Sequence, residues 1–171
     1  MKSGESVVEA ERPLVRNLRP GDLEAVLSLD ARITGRRREE YFRLQLDRAL
    51  KGTGVQVSLA GELGGCFAGF LLASLHYGEF GVIEPAAVLD TLGVHPDFRG
   101  RGVGPALLVQ LRTNLLALDI PRLATEVSWE DQELLGFFHR EGFRPAPRFC
   151  LDLDLEDHRK RWIEREEAHH G

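Results

Sequence analysis

Between Leu92 and Val109 the chain reads Leu-Gly-Val-His-Pro-Asp-Phe-Arg-Gly-Arg-Gly-Val-Gly-Pro-Ala-Leu-Leu-Val. Arg99 and Arg101 alternate with Gly100, Gly102 and Gly104, and Val103 sits between the last two glycines. An apolar run before this stretch, Ala87 to Val94, predicts a strand. Leu107, Leu108, Leu111, Leu115 and Leu118 after it predict a helix. A strand that turns through glycines into a helix leaves several backbone N–H groups unpaired at the positive end of the helix dipole. Glycine permits positive φ and lets a ligand approach the backbone closely. Pro105 falls in the first helical turn, where it costs no hydrogen bond. The chemistry is anion binding, and a pyrophosphate suits the cradle, with Arg99 and Arg101 adding positive charge.

Spacing narrows the choice. A P-loop ends in Gly-Lys-Ser/Thr, which is absent. A dinucleotide fingerprint would place its third glycine at Leu107 or Pro105. The pattern that fits is Arg/Gln-x-x-Gly-x-Gly/Ala, carried by Arg99, Gly102 and Gly104 and preceded by Val94-x-Pro96. It resembles the acetyl-CoA loop of the GNAT superfamily of N-acetyltransferases. The resemblance covers residues 14–155 and is strongest over 87–143. It implies an α/β fold: a mixed, twisted sheet of six or seven strands flanked by about four helices. It also implies acetyl-CoA as co-substrate and no metal. Leu92, Gly93 and Val94 would lie against the coenzyme, with strand 87–94 pairing its pantetheine amides and backbone near Val94 serving the oxyanion.

A second stretch, Thr125 to Phe143, resembles ribosomal-protein alanine acetyltransferases of the RimI type. By that resemblance Glu126 matches a general base, Asp131 an asparagine on the pantetheine arm, and Phe138 a tyrosine that protonates the leaving thiolate. Gly142-Phe143 matches a helix-closing pair. Asp131 keeps an acceptor but loses a donor. Phe138 has no proton to give, which points to a working but slow enzyme.

The transfer itself needs little. An amine must lose a proton before attacking a thioester, so a carboxylate near the cleft helps. Asp90 and Glu126 are the candidates, with Glu84 behind them; on simple alternation Asp90 shares a face with Val88 and Leu92, and Glu126 with Ser128. Tyr77 is the alternative acid. His139 reads as surface, Trp129 as a core or cleft-wall aromatic, and Arg36-Arg37-Arg38 as a solvated helix start. The acceptor is a primary amine of a small molecule or a protein. The competing reading is a non-catalytic acyl-CoA sensor or regulatory module, favoured by Phe138.

These groups need a scaffold. Leu14 to Leu18 predicts a first strand, and Asp22 caps the helix carrying Leu23, Val26, Leu27 and Leu29. Gly35 stops that helix; a second runs from about Arg37 to Leu50. Strands Val55–Ala60 and Cys66–Tyr77 form a hairpin over Gly61–Gly65. After strand 87–94 and helix 105–118 come strand Arg122–Ser128, a helix from about Asp131 to Arg140, and two strands within Phe143–Leu155. Residues 1–12 read as a disordered leader, 13–155 as one domain, and 156–171 as a charged tail or helix whose Trp162 and Ile163 suggest a homodimer contact; His169-His170 reads as tail composition.

The 171 residues allow one domain with a real core. Net charge is −5, which argues against nucleic acid as a partner. No apolar run is long enough to span a membrane. Cys66 and Cys150 form no framework; reduced, buried thiols in a cytoplasmic protein are the expectation. No Cys/His cluster has metal-ligand spacing.

Overall fold

A computed structural model describes residues 11–51, 57–77, 83–156 and 159. The chain divides into two units, Met1–Gln132 and Glu133–Gly171. The first holds a mixed sheet ordered β1-β2-β3-β4-β5. Its strands are β1 (Leu14–Asn17), β2 (Leu59–Leu63), β3 (Cys66–His76), β4 (Ala86–Val94) and β5 (Arg122–Thr125). Strands β1 to β4 pair antiparallel; β4 and β5 pair parallel, with α3 (Val103–Ala117) in the crossover. Helices α1 (Leu23–Thr34) and α2 (Glu39–Lys51) lie between β1 and β2 in sequence, and α4 (Gln132–Arg140) leads into the second unit.

Asp22 precedes α1 without capping it through its side chain. Its carboxylate accepts instead from the Arg19 N–H at 2.7 Å and from both terminal nitrogens of Arg16 at 2.8 and 2.9 Å. The Arg16 Nε donates to Glu62 at 2.6 Å, so one guanidinium ties the start of α1 to β1 and β2. Gly35, at φ +72°, closes α1 by donating its N–H to the Ala31 carbonyl. Arg38, in the link to α2, sends two bonds of 2.9 and 2.5 Å to the buried Asp30. Its guanidinium also lies 5.1 Å from the Tyr41 ring centroid and 5.2 Å from that of Phe42. The three arginines are exposed, as expected of a solvated helix start, but Arg38 also staples that start to the buried Asp30.

Neighbouring residues of β3 point to opposite faces of the sheet. Phe70 and Leu72 join Leu18, Val26, Leu27, Leu29, Phe42 and Leu46 in a core under α1 and α2. Gly69 faces the other way, toward α3, whose Val103, Leu107, Leu108, Leu111 and Leu115 are buried. Gly69 pairs with Gly61 of β2. A Cβ at Gly69 would stand 2.9 Å from Val103 Cγ1 and 2.9 Å from the Gly93 carbonyl; one at Gly61 would stand 3.2 Å from the same Val103 methyl. Two paired glycines thus make the seat into which the first turn of α3 drops.

The described residues form five strands, not six or seven. Among the described residues no strand follows Thr125: 143–154 has no regular pairing, and Phe149, Leu151 and Leu153 are exposed. Pro145 and Pro147 remove ladder donors there, and Leu/Asp alternation alone does not create a partner edge. Strand β5 stops at Thr125 rather than Ser128. Cys66 and Cys150 are free and exposed, not buried; Cys66 opens β3 beside the Gly64-Gly65 turn. Trp129 stands 84 % exposed, so it is no core residue. The leader (residues 1–10), most of loop 52–56 and 78–82, and Trp162, Ile163, His169 and His170 lie outside the described residues. Among the described residues no helix is long and apolar enough to cross a membrane.

Gly69→Ala should destabilise by about 1–3 kcal/mol through overpacking, and Gly61→Ala by less, because only a side-chain methyl must give way there. Urea melts of both variants check the order. A second expectation concerns acid. Hydrogen bonding to Arg16, foremost, holds the Asp22 carboxyl below its ordinary range. The stability it contributes is present above the unfolded carboxyl value of about 3.9 and is lost as pH falls through the lower folded value. Asp22→Asn should therefore flatten the loss of stability below about pH 4 relative to wild type, read from urea midpoints at a series of pH values.

Candidate functional site

Gly102, at φ +83°, is the N-cap of α3, and Gly100 is at φ +73°. Neither conformation suits a residue with a Cβ. The first bond of the helical ladder runs from the Ala106 N–H to the Gly102 carbonyl, and Pro105 has no N–H. The amides of Gly102, Val103 and Gly104 therefore precede the ladder at the positive end of α3. Nothing lies within 4 Å of a Cβ built at Gly100 or Gly102, so the loop is open on its outer side. Arg99 and Arg101 are exposed beside it, the latter with its guanidinium 5.4 Å from the Phe98 centroid. His95, at the end of β4, accepts from the Asp97 N–H at 3.2 Å and so shapes the turn into this loop.

The loop continues from an unusual strand edge. β4 pairs with β3 along its length, from His76↔Ala86 to Gly69↔Val94. With β5 it pairs only through Leu89↔Thr125, where the Thr125 hydroxyl donates to the Leu89 carbonyl at 2.9 Å. Beyond that bond the parallel strands part. Asp90 to Val94, including Leu92, Gly93 and Val94, keep a ladder on one edge and none on the other among the described residues. That open edge runs from the splay to the glycine loop. Gly93 also has a packing role: a Cβ there would meet the Phe70 ring at 2.7 Å.

Asp90 and Glu126 are the first residues past the last ladder pair, one on each diverging strand, and both are exposed. The register shifts here: Leu72 pairs with Thr91 and Ala73 with Leu89, leaving Asp90 as the extra residue of a β-bulge. Simple alternation put Asp90 on the face of Val88 and Leu92. The bulge breaks that pattern, so Asp90 and Thr91 both turn to the α1–α2 side while Leu92 falls opposite Leu71 on the α3 side. Asp90 Oδ2 accepts from Ser74 Oγ at 2.9 Å, and Ser74 Oγ lies 3.0 Å from His76 Nε2. The Thr91 hydroxyl lies 3.3 Å from that of Tyr41 on α2. Among the described residues Glu126 has no hydrogen-bond or ion-pair partner.

Other candidates stand elsewhere. Tyr77 is exposed past the end of β3, four residues beyond the partner of Leu89, hence about 13 Å along the strand from the splay. Glu84 is exposed before β4, and Asp131 is exposed with its N–H donating to the Ser128 carbonyl at 3.0 Å. In the second unit Phe138 is buried, its ring 5.3 Å from Phe137 and 4.9 Å from Phe143. Gly142, at φ +91°, follows α4 and His139 is exposed, both as the sequence suggested. No group of three metal-ligating side chains occurs among the described residues.

The model of the acetyltransferase (GNAT) family matches residues 23–143, well over half of the chain. The chain belongs to this family. It is an acetyl-CoA-dependent acetyltransferase with the α/β GNAT fold, its described residues forming four α-helices and a five-stranded mixed sheet. Three solved structures share the fold. An aminoglycoside N-acetyltransferase, AAC(6')-Iy, in complex with CoA is 19 % identical, with a TM-score of 0.72 over 86 % of this chain and 98 % of that one. A ribosomal-protein-alanine N-acetyltransferase from Brucella melitensis biovar Abortus 2308 is 19 % identical, with a TM-score of 0.67 over 83 % and 98 %. A transcriptional regulator from Bacillus halodurans C-125 is 16 % identical, with a TM-score of 0.69 over 84 % and 99 %.

This acetyltransferase offers a direct test of its loop. Gly102→Asp places a carboxylate in the open space before α3, so CoA affinity should fall about 100-fold through charge repulsion and lost access. Gly102→Ala should cost about 1 kcal/mol of backbone strain and keep most of the binding. Calorimetric titration with CoA reads both.

Proposed function

We propose that this protein moves the acetyl group of acetyl-CoA directly to a primary amine of a small molecule or protein. The observation that carries the reading is the open edge of β4, Asp90 to Val94, leading to the free amides of Gly102, Val103 and Gly104. In this reading the β4 edge receives the amides of the pantetheine arm, and the α3 amides with Arg99 and Arg101 receive the pyrophosphate. Acetyl-CoA supplies an activated acetyl thioester. Backbone near Val94 can stabilise the oxyanion, and Asp131 and Phe138 are assigned to the coenzyme side by resemblance to alanine acetyltransferases.

The acceptor arrives as an ammonium ion. A carboxylate at the splay, Asp90 or Glu126, takes one proton, and the freed lone pair attacks the thioester carbonyl. The C–N bond forms and the C–S bond breaks with its electron pair on sulfur. Of the two protons the nitrogen loses, one ends on the thiol and one in solvent. Phe138 gives none. A thiol with a value near that of cysteine, about 8.5, leaves as thiolate at modest cost. Tyr77 would need a shift of the chain to serve as acid.

The acceptor class draws support from the two structural relatives that act on an aminoglycoside and on a ribosomal-protein alanine. A CoA-binding regulatory module is the second reading, favoured by Phe138 and by the relative described as a transcriptional regulator. Thiol release from acetyl-CoA in the presence of neamine, spermidine or a peptide beginning with alanine separates them. Acetylation of at least one, with the product mass raised by an acetyl group, is the expected outcome. The double variant Asp90→Asn/Glu126→Gln should lower that turnover about 100-fold while CoA affinity holds. Binding of acetyl-CoA with no transfer to any of the three would favour the regulatory module.

A further inference from the structure

The chain His76–Ser74–Asp90 lies on the sheet face that carries the bulge. An ionised carboxylate only accepts, so the Ser74 hydroxyl gives its one proton to Asp90 Oδ2. Ser74 then has only lone pairs to offer His76, and the bond of 3.0 Å to Nε2 requires that nitrogen to be the donor. The order is fixed: His76 Nε2–H to Ser74, Ser74 O–H to Asp90. Alternating positions 74 and 76 of β3 share a face, so the strand itself aligns the two side chains. The adjacent bulge residue Thr91 is held from the other side by Tyr41. Ser74 thus holds Asp90 and Tyr41 contacts its neighbour Thr91, and the second oxygen of Asp90, Oδ1, has no protein partner among the described residues. Glu126, by contrast, has nothing to fix its rotamer.

We infer that Ser74 and His76 are positioning residues that hold Asp90 as the group receiving the amine proton, an inference that rests on the acetyltransferase reading above. An oriented carboxylate loses less rotamer freedom when the ammonium arrives. The hydrogen bond from Ser74 occupies Oδ2 and leaves Oδ1 to accept the proton. The proton passes from the acceptor nitrogen to Oδ1; no bond to Ser74 or His76 is made or broken.

The full chain tests this in two ways. Long-range proton–nitrogen NMR should show His76 carrying its proton on Nε2 in the wild type, and Ser74→Ala should remove that preference. With whichever of neamine, spermidine or the alanyl peptide is acetylated, Ser74→Ala should lower kcat about 10-fold, the range for losing a hydrogen bond to a charged group, with KM for acetyl-CoA held. Ser74→Thr, which restores a hydroxyl on a strand-compatible side chain, should recover most of the rate. Asp90→Asn should cost about 10-fold more than Glu126→Gln. Wild-type kcat in Ser74→Ala, no recovery in Ser74→Thr, or a His76 with no proton on Nε2 in the wild type would overturn the inference. Failure of the acetyltransferase reading shows separately, in the wild type alone, as bound acetyl-CoA with no transfer to any of the three amines; it takes the inference with it.

Discussion

The close contact between α3 and the paired glycines Gly61 and Gly69 sets the geometry of everything that follows. A helix normally stands off a sheet by the depth of two side-chain layers. Here one layer is missing, so Val103 and Leu107 reach the strands directly. The first turn of α3, which carries the free amides, is thereby seated close against β2 and β3. Gly93 extends the same logic to the opposite face, where the Phe70 ring takes the room a side chain would have used.

The second constraint is the parting of β4 and β5. Parallel strands joined by a long helix have no turn to lock their far ends together. The Thr125 hydroxyl closes the ladder on the Leu89 carbonyl, and the bulge at Asp90 then bends β4 away. An unpaired edge inside a protein is a cost unless something hydrogen-bonds it. The proposed reading gives the edge its partner in the amides of the pantetheine arm.

Much of this was legible in the sequence, for local reasons. The glycine loop, the strand before it and the helix after it are encoded within about twenty contiguous residues, and α1, α2, β3, β4 and α4 carried clear periodicities or breakers. Asp90 and Glu126 stood out as carboxylates on strands next to the loop, Glu126 also by its match to the RimI-type stretch. What escaped notice depends on register. Only the pairing of Leu72 with Thr91 and Ala73 with Leu89 reveals that Asp90 is an inserted residue, and alternation misjudged its relation to Leu92. Ser74, His76 and Tyr41 belong to no motif, and only the pairing of β3 with β4 brings them to the bulge. Arg38 hid within a run of three arginines; its partner Asp30 is eight residues away and buried. The overcounted strands after Phe143 show the reverse error: alternation of Leu with Asp was taken as a strand where no partner edge accompanies it.

The bulge turns Asp90 and Thr91 toward α1 and α2, while the glycine loop opens α3 on the other face, so the proposed reading puts amine and phosphate on opposite sides of β4. Helix α2 touches the bulge through a single hydroxyl pair, Tyr41 with Thr91, and its own anchorage, Arg38 on Asp30, is independent of the glycine seat. Sequence change along α1 and α2 can therefore alter which molecule is welcomed on that side without loosening the grip on the nucleotide. A lineage built on such a scaffold is free to exchange one clientele for another while inheriting the same donor.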